Sequence, residues 1–123
     1  MDILAWILCI ALAGTYLGAG LLKLIQPRTT MMTKPNFAWA ADFTDANIKG
    51  IGLAEVLGAI GVIVPWATMI APVLTPIAAL GLAVLQVGAM QTHRRRGETK
   101  VIPANAVLLV IALVAAILRF IQL

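Results

Sequence analysis

Four apolar runs, each close to the length of a single membrane crossing, leave a chain of 123 residues almost no other way to fold. They cover residues 3–25, 48–64, 72–91 and 101–119, to within a residue or two. A helix needs about 20 apolar residues to cross a hydrocarbon core of about 30 Å, so each run spans once and little sequence is left over. Hydrophobic residues make up 62% of the chain and charged residues 11%, with a mean hydropathy of +1.01, which is far outside the range of soluble domains. The runs are long and continuous, and a lipid-exposed backbone must satisfy its own hydrogen bonds, so helices are required rather than strands. The expected fold is all-α: a transmembrane antiparallel four-helix bundle forming one four-span membrane domain over residues 1–123. The first run lacks a basic n-region and a cleavage site, and ends at Lys23 and Gln26-Pro27; it reads as a retained span.

The net charge of +4 does not point to nucleic acid, because the basic residues flank the apolar runs. Lys23, Arg28, Lys34 and Lys49 fall at the first connection, and Arg94, Arg95, Arg96 and Lys100 at the third; only Arg119 falls on the other side. Positive residues near span ends are retained in the cytoplasm. Connections one and three are therefore expected inside, with both termini and the turn "PWATMIAP" outside. So strong a bias also argues against small dual-topology exporters and channels, which insert both ways. Cys9 is the single cysteine, so a dithiol redox centre within the chain is excluded.

The first connection, residues 26–47, is too long for a turn and carries Phe37, Trp39 and Phe43. Trp39 and Phe43 are four apart, so an amphipathic segment at the inner headgroup level would hold both rings in the interface and turn Asp42 and Asp45 to water. Two readings stand: an aromatic anchor beside a span, or a lid over a pocket in the bundle.

Polar residues within the spans recur on particular faces. Asp2, Cys9, Tyr16 and Lys23 are spaced by seven in the first span, and Gly14 with Gly18 forms a Gly-x-x-x-Gly pair that would admit another backbone, within the bundle or in a second copy. In the second span Gly50, Ala54 and Gly58 run beside Glu55; in the third, Thr75, Gln86 and His93 share a face; in the fourth, Asn105 precedes Arg119 by fourteen positions. At about 1.5 Å per residue, Glu55 lies about 9 Å deeper than Lys49 and Gln86 about 10 Å deeper than His93. Lys23, Glu55, Gln86 and Asn105 therefore belong to the cytoplasmic half, while the outer half offers mainly threonines, Tyr16 and Cys9. A polar pocket opening inward, roofed by the first connection, is expected.

Glu55 needs a reason to be where it is. A charged acid at a span centre costs about 2.5–3.5 kcal/mol on insertion scales, against a gain of about 0.3–0.6 for each Ile, Leu or Val, so the surrounding aliphatic residues offset one carboxylate. A lipid-facing carboxylate is still disfavoured, which leaves protonation, pocket water or a basic partner, for which Lys23 is the nearest candidate. The plainer readings are that Lys23 snorkels to the headgroups and that Glu55 only orders the bundle through a helix-to-helix hydrogen bond. Gln86 and Asn105 serve equally as interhelical glue, Tyr16 needs a partner for its hydroxyl, and His93 opens a solvated basic loop.

The segments "GLLKLIQP", "FAWAADFT", "KGIGLAEVLGAIGVIVP", "LTPIAALGLAVLQVGA" and "HRRRGE", in this order, resemble the DoxX-like family of small four-span membrane proteins over essentially the whole chain. The most specific parts are Gly20-x-x-Lys23 and Gly52-x-x-Glu55, with Trp39-x-x-Asp42-Phe43 between them. The resemblance implies the four-span fold. The family is named for a terminal-oxidase and thiosulfate:quinone oxidoreductase context, relatives are associated with membrane oxidoreductase assemblies, and more distant ones look like assembly factors or cargo receptors. The chain carries no cofactor motif, so redox chemistry in such an assembly would fall to a partner.

The resulting expectation is a multi-pass protein of the bacterial plasma (inner) membrane, a non-catalytic subunit or accessory factor, in contact with the lipid bilayer and with a membrane-protein partner or a second copy of itself. Lys23 and Glu55 would anchor a lipophilic ligand such as a quinone or another lipid, or a partner helix, with Tyr16, Gln86 and Asn105 supplying hydrogen bonds and Trp39 the cover. No cofactor of its own and no metal site are expected. The alternative is a small proton-coupled transporter using Glu55.

Overall fold

A computed structural model of the chain describes residues 1–35 and 37–123; Asn36, inside the expected cytoplasmic segment 26–47, lies outside the described residues. Among the described residues the regular structure is helical throughout. Four stretches are long and apolar enough to cross a membrane: Asp2–Ile25, Asp45–Thr68, Leu74–Arg95 and Thr99–Ile121. The long helices are α1 (Asp2–Ile25), α3 (Asp45–Gly61), α5 (Leu74–Arg95) and α6 (Ile102–Ile121); α2 (Arg28–Met31) and α4 (Val64–Thr68) are short. They form an up-and-down ring in which α1 packs on α3 and α6, and α5 packs on α6 and α3.

Local chemistry sets the helix ends. Thr44 caps α3, its hydroxyl accepting from the Asn47 amide at 3.1 Å, and Asp45 adds a carboxylate to the positive end of the helix. This starts the second span before the apolar run at residue 48. The same span does not stop at Val64: α3 ends at Gly61, the chain turns at Val62 and Ile63, and α4 resumes with Pro65 in its first turn, where a missing N–H costs nothing. Helix α5 begins at Leu74 and runs on through the polar residues 91–95, because His93, Arg94 and Arg95 complement the negative end of the helix dipole; Gly97, at φ +73°, then turns the chain.

The core is built from small residues. Ala112, Ala115 and Ala116 of α6 meet Cys9 and Leu12 of α1 and Ala79, Leu82 and Ala83 of α5, all buried. Without a large hydrophobic drive between helices in lipid, such residues let the backbones approach and gain dispersion contacts. Large aliphatics such as Ile3, Ile7, Val110 and Ile117 face outward, where lipid covers them. A second cluster, Met31, Ala40 and Ile48 with Phe37, Trp39 and Phe43, seats the first connection on the end of the bundle.

The close helix contact falls elsewhere than at Gly14 and Gly18. A Cβ at either would meet open space, so this pair faces away from the bundle. It is Gly20 and Gly52 that are pressed together: a Cβ on Gly20 would stand 2.7 Å from the Gly52 carbonyl, and one on Gly52 2.9 Å from the Gly20 carbonyl. Of the Gly50–Gly58 stripe, Gly50 is likewise open, whereas Gly58 packs on Leu82.

The opposite end of the bundle, where both chain termini lie, is also more polar than its composition suggests. Arg119, counted above as a lone positive charge on that side, is fully buried. Its Nη1 donates to Asp2 Oδ1 at 3.0 Å and to Gln122 Oε1 at 2.8 Å. The guanidinium carbon lies 4.9 Å from the Trp6 ring centre and 4.3 Å from that of Trp66, so two indoles bracket the cation and supply what water cannot.

Candidate functional site: a cavity beside a buried ion pair

The crossing of α1 and α3 at Gly20 and Gly52 brings Lys23 and Glu55 together. The helices are antiparallel, so each residue, three positions beyond its glycine, moves about 4.5 Å along its own axis in opposite directions. That would separate the two α-carbons by about 9 Å if nothing else acted. Side chains lean toward the N-terminus of their helix, however, and in an antiparallel pair these leanings converge. Lys23 Nζ stands 2.7 Å from Glu55 Oε1, with the side chains 11% and 6% exposed. At this distance the two groups form a nearly buried salt bridge, with the ammonium in the range of a charge-assisted contact to the carboxylate.

The pair sits in the wall of a half-open cavity of about 620 Å³ lined by α1, α3, α5, the first connection and the start of α6. Tyr16, Lys23, Trp39, Glu55, Gln86 and Asn105 all line it. The Tyr16 hydroxyl donates to Gln86 Oε1 across the bundle, a contact shielded from solvent. Trp39 lies over the lysine, with Nζ 5.6 Å from the ring centre. Asn105, in the first turn of α6, contributes a buried Nδ2 that has no hydrogen-bond partner among the described residues.

Phe37, Trp39 and Phe43 come from the first connection and form one side of the cavity. Their segment is a 3₁₀ turn, Ala38–Asp42, and the Phe43 ring stands edge-on to Trp39 at 5.8 Å. Arg28 fixes this turn from within: Nε donates to the carbonyls of Ala40 at 3.0 Å and Phe43 at 2.7 Å, and Nη2 to that of Ala41 at 3.0 Å. Lys49 closes the other flank by donating to the carbonyls of Lys23 and Gln26, both at 2.6 Å, which caps the C-terminal end of α1.

A polar bridge ties the turn to the end of α5. Arg96 Nη1 donates to Asp42 Oδ1 at 2.8 Å, and Arg96 Nε lies 3.4 Å from Glu98 Oε1, whose carboxylate also meets His93 Nδ1 at 3.0 Å. The bonded Asp42 carboxylate raises the Arg96 guanidinium above its ordinary range. Asp42 therefore anchors the turn as well as facing water. His93 reaches the cavity wall too, as do Thr92 and Arg95, which the sequence pattern did not single out. The helical run of α5 to Arg95 is the signal that would have placed them there.

A sequence-family model described as the DoxX-like family matches residues 7–115, nearly the whole of the bundle. No curated protein and no solved structure matches the chain.

Proposed function

The chain belongs to the DoxX-like family, and from that membership we propose that it is a non-catalytic subunit or accessory factor of a larger membrane assembly of the oxidoreductase or respiratory type. Its cavity receives a lipophilic ligand with a polar head, such as a quinone or another lipid, held beside Lys23 and Glu55. The cavity opens toward the cytoplasmic leaflet of a bacterial plasma membrane, in line with the eight-to-one split of Lys and Arg across the two ends of the bundle.

One observation carries this reading. An ion pair that served packing alone would be best enclosed by well-fitted side chains, because both charges must be taken out of water. Here the pair instead borders about 620 Å³ of space, within the range of small-molecule pockets, lined by aromatic side chains and a few convergent polar groups. Intramembrane ionisable residues that face a cavity mark function more often than architecture.

The test is purification from native membrane in lipid nanodiscs, with mass spectrometry of the proteins and lipids that come along. Because Glu55→Gln alone strands the Lys23 ammonium, the double variant Lys23→Met with Glu55→Leu, which leaves neither charge, is the one expected to lose the bound lipid or partner while keeping most of the melting profile. An unchanged set of co-purifying molecules would count against the site. Flux in liposomes that depends on a pH gradient and vanishes in Glu55→Gln would replace this reading with that of a proton-coupled carrier.

A further inference from the structure

We infer that the cavity is entered sideways from the bilayer, through a slit between α3 and α5 along which an amphiphile slides in upright without passing the aromatic cover. This rests on the reading of the cavity as a ligand site and supplies the route to it.

The two helices touch at one end and part at the other. Away from the first connection Gly58 packs on Leu82, a Cβ on Gly61 would stand 2.7 Å from that of Ala78, and the Thr75 hydroxyl donates to the Gly61 carbonyl at 3.1 Å. Nearer the first connection, a Cβ added to Gly50 of α3 or to Gly88 of α5 would meet nothing within 4 Å. Here Ala46, Gly50 and Ala54 line a shallow recess of about 390 Å³, with Asn47 as the one polar side chain in its wall. Phe43, Ile51 and Leu85 line both the recess and the cavity, so the two are continuous.

The opening has the height of one leaflet. Val84, Gly88, Gln91 and Arg95 line the cavity and are all exposed, so its mouth follows one edge of α5. Arg95 lies eleven positions after Val84, which is about 16 Å of helix against about 15 Å for half a hydrocarbon core. The edge passes from an apolar end within the span to a polar end at headgroup level, the same gradient that an upright amphiphile carries. Entry along it keeps the tail in hydrocarbon and the head in interfacial water, so no polar group is desolvated on the way. The cover offers no comparable path: Arg28 pins the Ala38–Asp42 turn by three hydrogen bonds to main-chain carbonyls, and Arg96 ties it to the end of α5 through Asp42.

The experiment places a cysteine on the cavity wall, Ala89→Cys, in the full-length Cys9→Ala chain in nanodiscs of dioleoylphosphatidylcholine. N-dodecylmaleimide, which partitions into lipid, is compared with a water-soluble sulfonated maleimide, and Val110→Cys on the lipid-facing side of α6 reports reagent supply. The dodecyl reagent is expected to label Ala89→Cys faster than the sulfonated one. Ala54→Phe and Gly50→Phe, which fill the recess from positions outside the cavity wall, are each expected to slow that labelling about tenfold while leaving Val110→Cys unaffected; thermal unfolding checks that both variants fold. A rate unchanged by both substitutions, a larger slowing by Thr15→Phe between α1 and α6, or equal labelling by the sulfonated reagent overturns the slit but leaves the cavity as a ligand site. Labelling of Val110→Cys with none of Ala89→Cys by either reagent overturns both.

Discussion

Gly20 and Gly52 lie backbone to backbone where α1 crosses α3, each glycine at the point where a Cβ would fall under 3 Å from the other's carbonyl. Replacing either by alanine forces the helices apart at the base of the Lys23–Glu55 pair. Gly52→Ala is expected to destabilise the bundle by about 1–3 kcal/mol, the usual cost of overpacking, and Gly14→Ala to do nothing of the kind. Thermal unfolding in one detergent, with the two variants side by side, checks this; equal melting temperatures would contradict the crossing.

The ion pair invites a double-mutant cycle. Removing one charge strands the other in a nearly buried setting, so Glu55→Ala alone is expected to cost about 3–5 kcal/mol. Lys23→Met together with Glu55→Leu removes both charges and is expected to recover most of that loss. The measured quantity is the coupling between the two sites in unfolding, and strict additivity would show that the contact is energetically idle.

Cover and latch should separate experimentally. Arg28 holds the Ala38–Asp42 turn by three hydrogen bonds to main-chain carbonyls, whereas Arg96 reaches it through one partly exposed carboxylate. An exposed pair of that kind contributes little to stability. Amide hydrogen exchange at residues 37–43 is expected to quicken strongly in Arg28→Ala and only slightly in Arg96→Ala. High salt should reproduce the second effect and not the first, since screening acts on exposed charges.

At the other end, Asp2 is 67% exposed but is the only carboxylate paired with fully buried Arg119 among the described residues. Asp2→Asn is therefore expected to cost about 1–2 kcal/mol, between the values for exposed and buried pairs. Arg119→Lys should cost more, because an ammonium cannot lie flat between two indoles. Calorimetry or urea unfolding distinguishes the ranking, which reverses if the indoles contribute nothing.

Orientation is testable with single cysteines in a Cys9→Ala background. Thr68→Cys is expected to react with a membrane-impermeant thiol reagent added outside intact cells, and Arg94→Cys only after lysis. The reverse pattern would place the cavity mouth on the outer face.

The number and type of the spans were legible because hydropathy and length leave no competing fold. The relation of Lys23 to Glu55 was partly legible, as two groups at one end of the bundle. What sequence could not give was which glycines touch: Gly14-x-x-x-Gly18 and the lone Gly20 look equally apt for close packing, and only the rotation of α1 toward α3 decides between them. Arg119 misleads for a similar reason. As a charge near a span end it reads as a topology signal, and its burial depends on Trp6 and Trp66, which come from two other stretches of chain. The extension of α5 past the apolar run shows propensity and dipole overriding hydropathy as a guide to where a helix stops.

The contact between Asp2 and Arg119 joins positions 117 apart in sequence. In a chain that enters the bilayer helix by helix, α1 arrives first and must wait through two further spans before α6 can cover Cys9 and Leu12 and bring the guanidinium between the indoles. Until then the ring has an unsealed seam, with Cys9 and Leu12 uncovered and the Trp6 and Trp66 indoles without the cation that lies between them. The last helix to enter therefore completes both the packing of the first and the seat of its own cation.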